Sequence, residues 1–155
     1  MKITQHFHND AQEAVPKHIL HPLKWDMEKK EVIPTRRGVR EIKEAIAEVL
    51  ASNGWSGRTI VHPDSKISIA SINENVGLCF QFANMCTFCV DLLKLQVMYD
   101  RKTIDSAIYI LPVKRLALTL GNNMSNFERF TQELKIYKNI IKIPIAILGV
   151  EKLSI

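Results

Sequence analysis

Hydrophobic and polar residues alternate at the start of the chain. Ile3, Gln5 and Phe7 take one side and Thr4 and His6 the other, so Lys2 to Phe7 is a predicted strand. From His8 to Lys30 the pattern is broken by Pro16 and Pro22, which predicts only short helices or loops. After Pro34-Thr35 the period becomes helical, from about Arg37 to Ser52. Val39, Ile42, Ile46, Val49 and Leu50 share one face, opposite Arg40, Glu41, Lys43, Glu44 and Glu48. Asn53-Gly54 then ends the helix, with Gly54 free to take a left-handed cap. Thr59 to His62 and Lys66 to Ile72 read as strands, and Asn73-Glu74-Asn75 as a polar turn. Val76 to Phe82 is apolar except for Gln81 and reads as a buried strand. Thr87 to Tyr99 suits a helix, with Leu92, Leu95 and Met98 on one stripe. Ile104 to Leu111 is a predicted strand stopped by Pro112, and Gly121-Asn122-Asn123 a loop. Ser125 or Asn126 can cap a helix running to about Asn139, with Glu128 near its positive end. Pro144 to Val150 is a final apolar strand.

The resulting order is strand, helix, a hairpin of two strands, helix, strand, helix, strand. It predicts one mixed α/β domain over residues 1–155, a central sheet covered by helices. A chain of 155 residues is long enough to bury a core of its own. Hydrophobic content of 46% and charged content of 24% are ordinary for a globular protein. No stretch is apolar for long enough to span a bilayer, and the first residues carry no apolar signal-like run. The odd count of cysteines (Cys79, Cys86 and Cys89) beside apolar segments predicts reduced, buried thiols in a cytoplasmic protein. A net charge of +5 permits a polyanionic partner without requiring one.

Cys79-Phe80-Gln81-Phe82 lies on the buried strand. Ile110-Leu111-Pro112 closes the strand that follows, Asn126-Phe127-Glu128 opens a helix, and Pro144 to Gly149 forms the last strand. Met1-Lys2-Ile3 with Asn9, Ala11 and Glu13, and Ile46 to Trp55, precede them. In this order the segments resemble the BglII/BstYI-like type II restriction endonucleases of the PD-(D/E)XK superfamily. The resemblance implies a restriction-endonuclease-like core, double-stranded DNA as partner, and a homodimer matching a palindromic site. It also implies Mg²⁺ held by an Asp and a Glu, with a third residue helping to hold the attacking water.

At those positions this chain departs from the pattern. Ala70 stands where the family has Asp and Cys79 where it has Glu, while Gln81 matches the third position. Mg²⁺ is hard and prefers oxygen ligands at about 2.0–2.1 Å, usually including carboxylates. Alanine offers none, and a buried thiol is soft and mostly protonated. The expectation is a DNA-interacting protein impaired in catalysis. One alternative is an active Mg²⁺-dependent endonuclease in which Asp64 or Glu74 supplies the missing carboxylate. Another is an interaction protein of a defence system that no longer binds DNA.

Lys114, Arg115, Asn122 and Asn123 are candidate DNA contacts in a loop after the Ile-Leu-Pro strand. Arg36 and Arg37, with Lys29, Lys30 and Arg40, form a second basic cluster, and Lys135, Lys138 and Lys142 a third. Each also fits a solvated face. Glu41, Glu44 and Glu48 read as the outer face of their helix. Cys86-Thr87-Phe88-Cys89 has half the spacing of a zinc site but reads better as apolar packing at a helix start. His6, His8, His18 and His21 lack the fixed spacing of a metal site.

Overall fold

The computed structural model describes residues 1–32 and 38–151. The chain runs β1 (Lys2–His8), α1 (Ala11–Ala14), α2 (Lys17–Lys29), α3 (Val39–Ser52), β2 (Thr59–Ile60), β3 (Ser68–Ile69) and β4 (Ser71–Asn73). It continues with β5 (Val76–Phe80), α4 (Thr87–Asp100), β6 (Ser106–Pro112), α5 (Lys114–Leu120), α6 (Phe127–Ile136) and β7 (Ile145–Glu151). Five strands make one mixed sheet in the order β1-β7-β6-β5-β4. β5, β6 and β7 are parallel, and β1 and β4 are antiparallel to their neighbours. The expected mixed α/β architecture is therefore present.

Parallel neighbours need a crossover, and the helices supply it. α4 joins β5 to β6, and α5 with α6 joins β6 to β7. The three inner strands consequently read as unbroken apolar runs, Val76 to Phe80, Ala107 to Leu111 and Ile145 to Leu148. Their side chains alternate between two cores. Leu78, Ile108, Ile110, Ala146 and Leu148 meet α2 and α3 on one face. Cys79, Tyr109, Ile145 and Ile147 meet α4 and α6 on the other. There Phe130 lies edge-on to Phe88, ring centroids 5.2 Å apart, and stacks on Tyr109 at 4.5 Å.

The structure departs from the sequence reading in several places. α2 is a continuous helix of 13 residues with Pro22 inside it. Proline removes one backbone hydrogen bond, but Ile19, Leu20, Leu23 and Met27 are buried on one side, and that packing keeps the helix intact. The stretch from Lys66 to Ile72 is split at Ala70, so that β3 pairs with β2 in a separate small sheet. Ala70 donates its backbone N–H to Leu78 O at 3.1 Å. The segment after Pro112 is not a loop over its whole length: Lys114–Leu120 is helical, held by burial of Leu116 and Ala117. Gly54 takes the left-handed backbone (φ 75°) that the end of α3 requires. Asn126 caps α6 by accepting from Arg129 N at 3.0 Å.

Candidate functional site

β5 ends under α4, and this end carries the polar chemistry. Gln81 prolongs the β5–β6 ladder by donating its backbone N–H to Ile110 O at 2.9 Å. Cys79 and Gln81 are two residues apart, so their side chains share the face covered by α4. Phe88, Leu92, Leu95 and Met98 bury the inner stripe of α4, and Asp91 falls on that same stripe. A buried carboxylate needs partners, and Asp91 has three. Gln81 Nε2 donates to Oδ2 at 3.1 Å, Tyr109 OH donates to the same oxygen at 2.9 Å, and Lys94 Nζ donates to Oδ1 at 3.2 Å. Tyr109 is fully buried and faces Cys79 across the β5–β6 register.

Burial and the neighbouring Asp91 charge push the Cys79 thiol far above its ordinary range. Lys94 and the Ala70 backbone N–H pull the other way. Burial first and Asp91 second also hold the Tyr109 hydroxyl well above its ordinary pKa. Both groups are therefore neutral at physiological pH. The site is one carboxylate paired to one ammonium, lined by a phenol, an amide and a thiol.

This donor set does not fit the Mg²⁺ that the family resemblance implies. The ion wants several oxygen ligands, including carboxylates. The single carboxylate present already accepts three hydrogen bonds, and Cys79 stays protonated. Ala70 carries no donor, and its side chain packs against the core on the α2–α3 side while Cys79 packs on the α4 side. Among the described residues, no group of three or more His, Cys, Asp or Glu side chains is arranged to hold a metal.

The acids nominated from sequence lie elsewhere. Glu74 sits in the β4–β5 turn, where its carboxylate meets His18 Nε2 at 2.9 Å. Gln81 is past the opposite end of β5. A strand rises about 3.3 Å per residue, so the length of β5 separates Glu74 from Gln81. Asp64 is in the β2–β3 turn, its side chain 89% exposed and 3.6 Å from His62 Nδ1. Neither acid bonds to Gln81, whose amide turns to Asp91 instead. Glu41, Glu44 and Glu48 line a surface depression of about 350 Å³ with Lys30 and Glu31.

Lys114 and Arg115 are exposed on the first turn of α5, and Asn122 and Asn123 are exposed just beyond it. Lys114 N–H donates to Glu128 Oε2 at 2.6 Å, which ties the start of α5 to α6. The turn before α4 packs on the turn before α6: Met85 N–H donates to Asn123 O and Ser125 N–H to Ala83 O. These residues therefore gather at the end of the sheet where Gln81 lies. Lys135, Lys138 and Lys142 are exposed near β1 and β7. Arg36 and Arg37 fall outside the described residues.

All three cysteines are free thiols, but the expected burial holds for Cys79 alone; Cys86 and Cys89 are exposed at the start of α4. His8 is buried with Nε2 2.8 Å from Ile141 O, and burial chiefly lowers its pKa. The sequence reading missed Asp91, Lys94 and Tyr109. A signal was present: a lone acid at Asp91 interrupts the apolar stripe of Phe88, Leu92 and Leu95, with Lys94 three residues on.

Comparison with known proteins places this geometry. The crystal structure of restriction endonuclease BglII complexed with a DNA 16-mer matches with a TM-score of 0.83 at 14% identity, over 100% of this chain and 81% of that one. The crystal structure of free BglII matches with a TM-score of 0.75 at 16% identity, over 100% of this chain and 82% of that one. At such identity these two matches show the shared fold. No curated protein matches the chain in sequence. The sequence pattern described as restriction endonuclease BglII/BglIII, however, matches residues 3–150, and the chain therefore belongs to that family.

Proposed function

We propose that the protein binds double-stranded DNA without Mg²⁺-dependent cleavage, as a cytoplasmic component of a restriction or defence system. The observation that carries this reading is Asp91: the one carboxylate at Gln81 is already occupied by Lys94, Tyr109 and Gln81 itself. A hydrolytic site would need free carboxylate oxygens there to hold a cation and activate water. The DNA-facing side is the end of the sheet carrying Gln81, Lys114, Arg115, Asn122 and Asn123. In open α/β sheets ligands bind beyond the carboxyl ends of the strands, and β5 and β6 both end there. Asn and basic side chains at that end suit base edges and phosphates.

Plasmid incubated with the protein and Mg²⁺ or Mn²⁺ should remain supercoiled, while a labelled duplex should shift in a gel and lose affinity steeply as salt rises. Cleavage abolished by Asp64→Ala or Glu74→Ala would reverse the reading in favour of an active enzyme. Absence of any shift at low salt would favour an interaction protein that no longer meets DNA.

The reading includes a homodimer built on the outer face of α4. Val90, Leu93 and Val97 lie at i, i+3 and i+7 there and are 49%, 57% and 42% exposed. A helix apolar on both faces is normally covered on both. The stripe repeats at alternating intervals of three and four residues, the spacing by which two copies of one helix interlock. A closed two-fold pair also buries the same patch from each subunit. Leu93→Lys should therefore shift sedimentation at micromolar concentration from dimer to monomer and leave far-UV circular dichroism unchanged. A wild-type protein that sediments as a monomer would remove the dimer from the reading.

A further inference from the structure

We propose that the Lys94 ammonium occupies the role of the family's divalent cation and contacts a DNA backbone phosphate directly. This inference rests on the DNA-binding reading above and goes further by naming the group that meets the phosphate.

The geometry supports it in three ways. Lys94 leaves α4 on the flank between the buried stripe and the exposed one, and its Nζ is fixed 3.2 Å from Asp91 Oδ1. An ammonium has three donors, and this bond uses one. The side chain is 20% exposed, so the anchored charge is lodged at the surface rather than sealed in the core. Gln81, at a position the family resemblance implies is catalytic, shares the Asp91 carboxylate with it, and Cys79 lies two residues before Gln81 on the same face of the sheet. A phosphate reaching the end of β5 would thus meet a positive charge already in place, held on its far side by Asp91 as a positioning residue. An ammonium can attract a phosphate, but it offers no bound water to deprotonate, so the same substitution that keeps affinity removes hydrolysis.

The test uses a fluorescent duplex of mixed sequence and the full chain. Wild-type affinity should be no higher in Ca²⁺ than in EDTA at matched ionic strength, because a divalent counterion competes with the protein for phosphates. A rise in affinity with the divalent ion overturns the proposal, and this arm needs no variant. The double variant Asp91→Asn, Lys94→Gln keeps an amide pair at the site and removes both charges. Its plot of log affinity against log salt should be shallower by about 0.9 per chain bound, whereas Lys94→Arg should keep the wild-type slope. A folded double variant with the wild-type slope overturns the role of Lys94 and leaves the DNA-binding reading standing. A wild-type protein that fails to bind the duplex overturns both.

Discussion

Asp91→Ala is expected to lower the free energy of unfolding by about 3 kcal/mol. Removing one member of a buried ion pair costs about 3–5 kcal/mol when the remaining charge is left uncompensated. The value falls at the low end because Lys94 is 20% exposed and can turn its ammonium into water. The Tyr109 hydroxyl has no such escape. Tyr109 is 0% exposed, between β6, α4 and the Phe130 ring, and would be left a donor without an acceptor. An unmet buried hydroxyl alone costs about 1–3 kcal/mol. Asp91→Asn preserves the shape and one acceptor oxygen, so it should cost less, about 1–2 kcal/mol. Urea unfolding followed by circular dichroism measures both. An Asp91→Ala loss under about 1 kcal/mol would mean that the carboxylate is not desolvated, and the neutralised site would then be the wrong description of the end of β5.

Long periodic elements were legible in the sequence because one interaction dominates each of them. α3 is set by its apolar stripe and ended by Gly54, and Asn126 caps α6 through a local bond to Arg129. β5, β6 and β7 are apolar along their central stretches because helices cover both of their faces. Elements decided by tertiary packing were not legible. Pro22 argues locally against a helix, but the buried face of α2 outweighs it. α5 is only seven residues long and follows Pro112 with one residue between, so little marks it before β6 and α6 are placed. The candidate site divides in the same way. The resemblance nominated Gln81, Cys79 and Ala70 by their spacing along one stretch of sequence. Asp91 and Lys94 reach those positions from another element, and only the docking of α4 across β5 and β6 brings them there. An ion pair on a helix that meets the strands only through docking is invisible to spacing rules for that reason.

The same ion pair predicts what happens when the acid that the family resemblance implies is placed at residue 79. Cys79→Glu should destabilise the protein by at least about 3 kcal/mol at neutral pH. Cys79 is 3% exposed in the α4–α6 core, and glutamate is a longer side chain than that space holds. Overpacking of this kind costs about 1–3 kcal/mol. The new carboxylate would also face Asp91 with only Lys94 to offset two negative charges, and desolvation adds to the repulsion. Both effects raise the pKa of the introduced glutamate in the folded state above its unfolded value of about 4.3. The electrostatic part of the loss is therefore fully present above the folded pKa. It shrinks as pH falls towards the unfolded pKa, because the native state takes up the proton first. Wild type and variant should thus approach one another in stability as the solution is acidified from neutrality, with the packing loss remaining at the lower end. A vacant cation pocket behaves differently. There a glutamate would be accommodated at neutral pH, and Mn²⁺ would raise the midpoint of thermal unfolding. That pair of results would restore the family's metal chemistry to this chain, and a destabilised, metal-indifferent variant would show that the Asp91–Lys94 pair has taken its place.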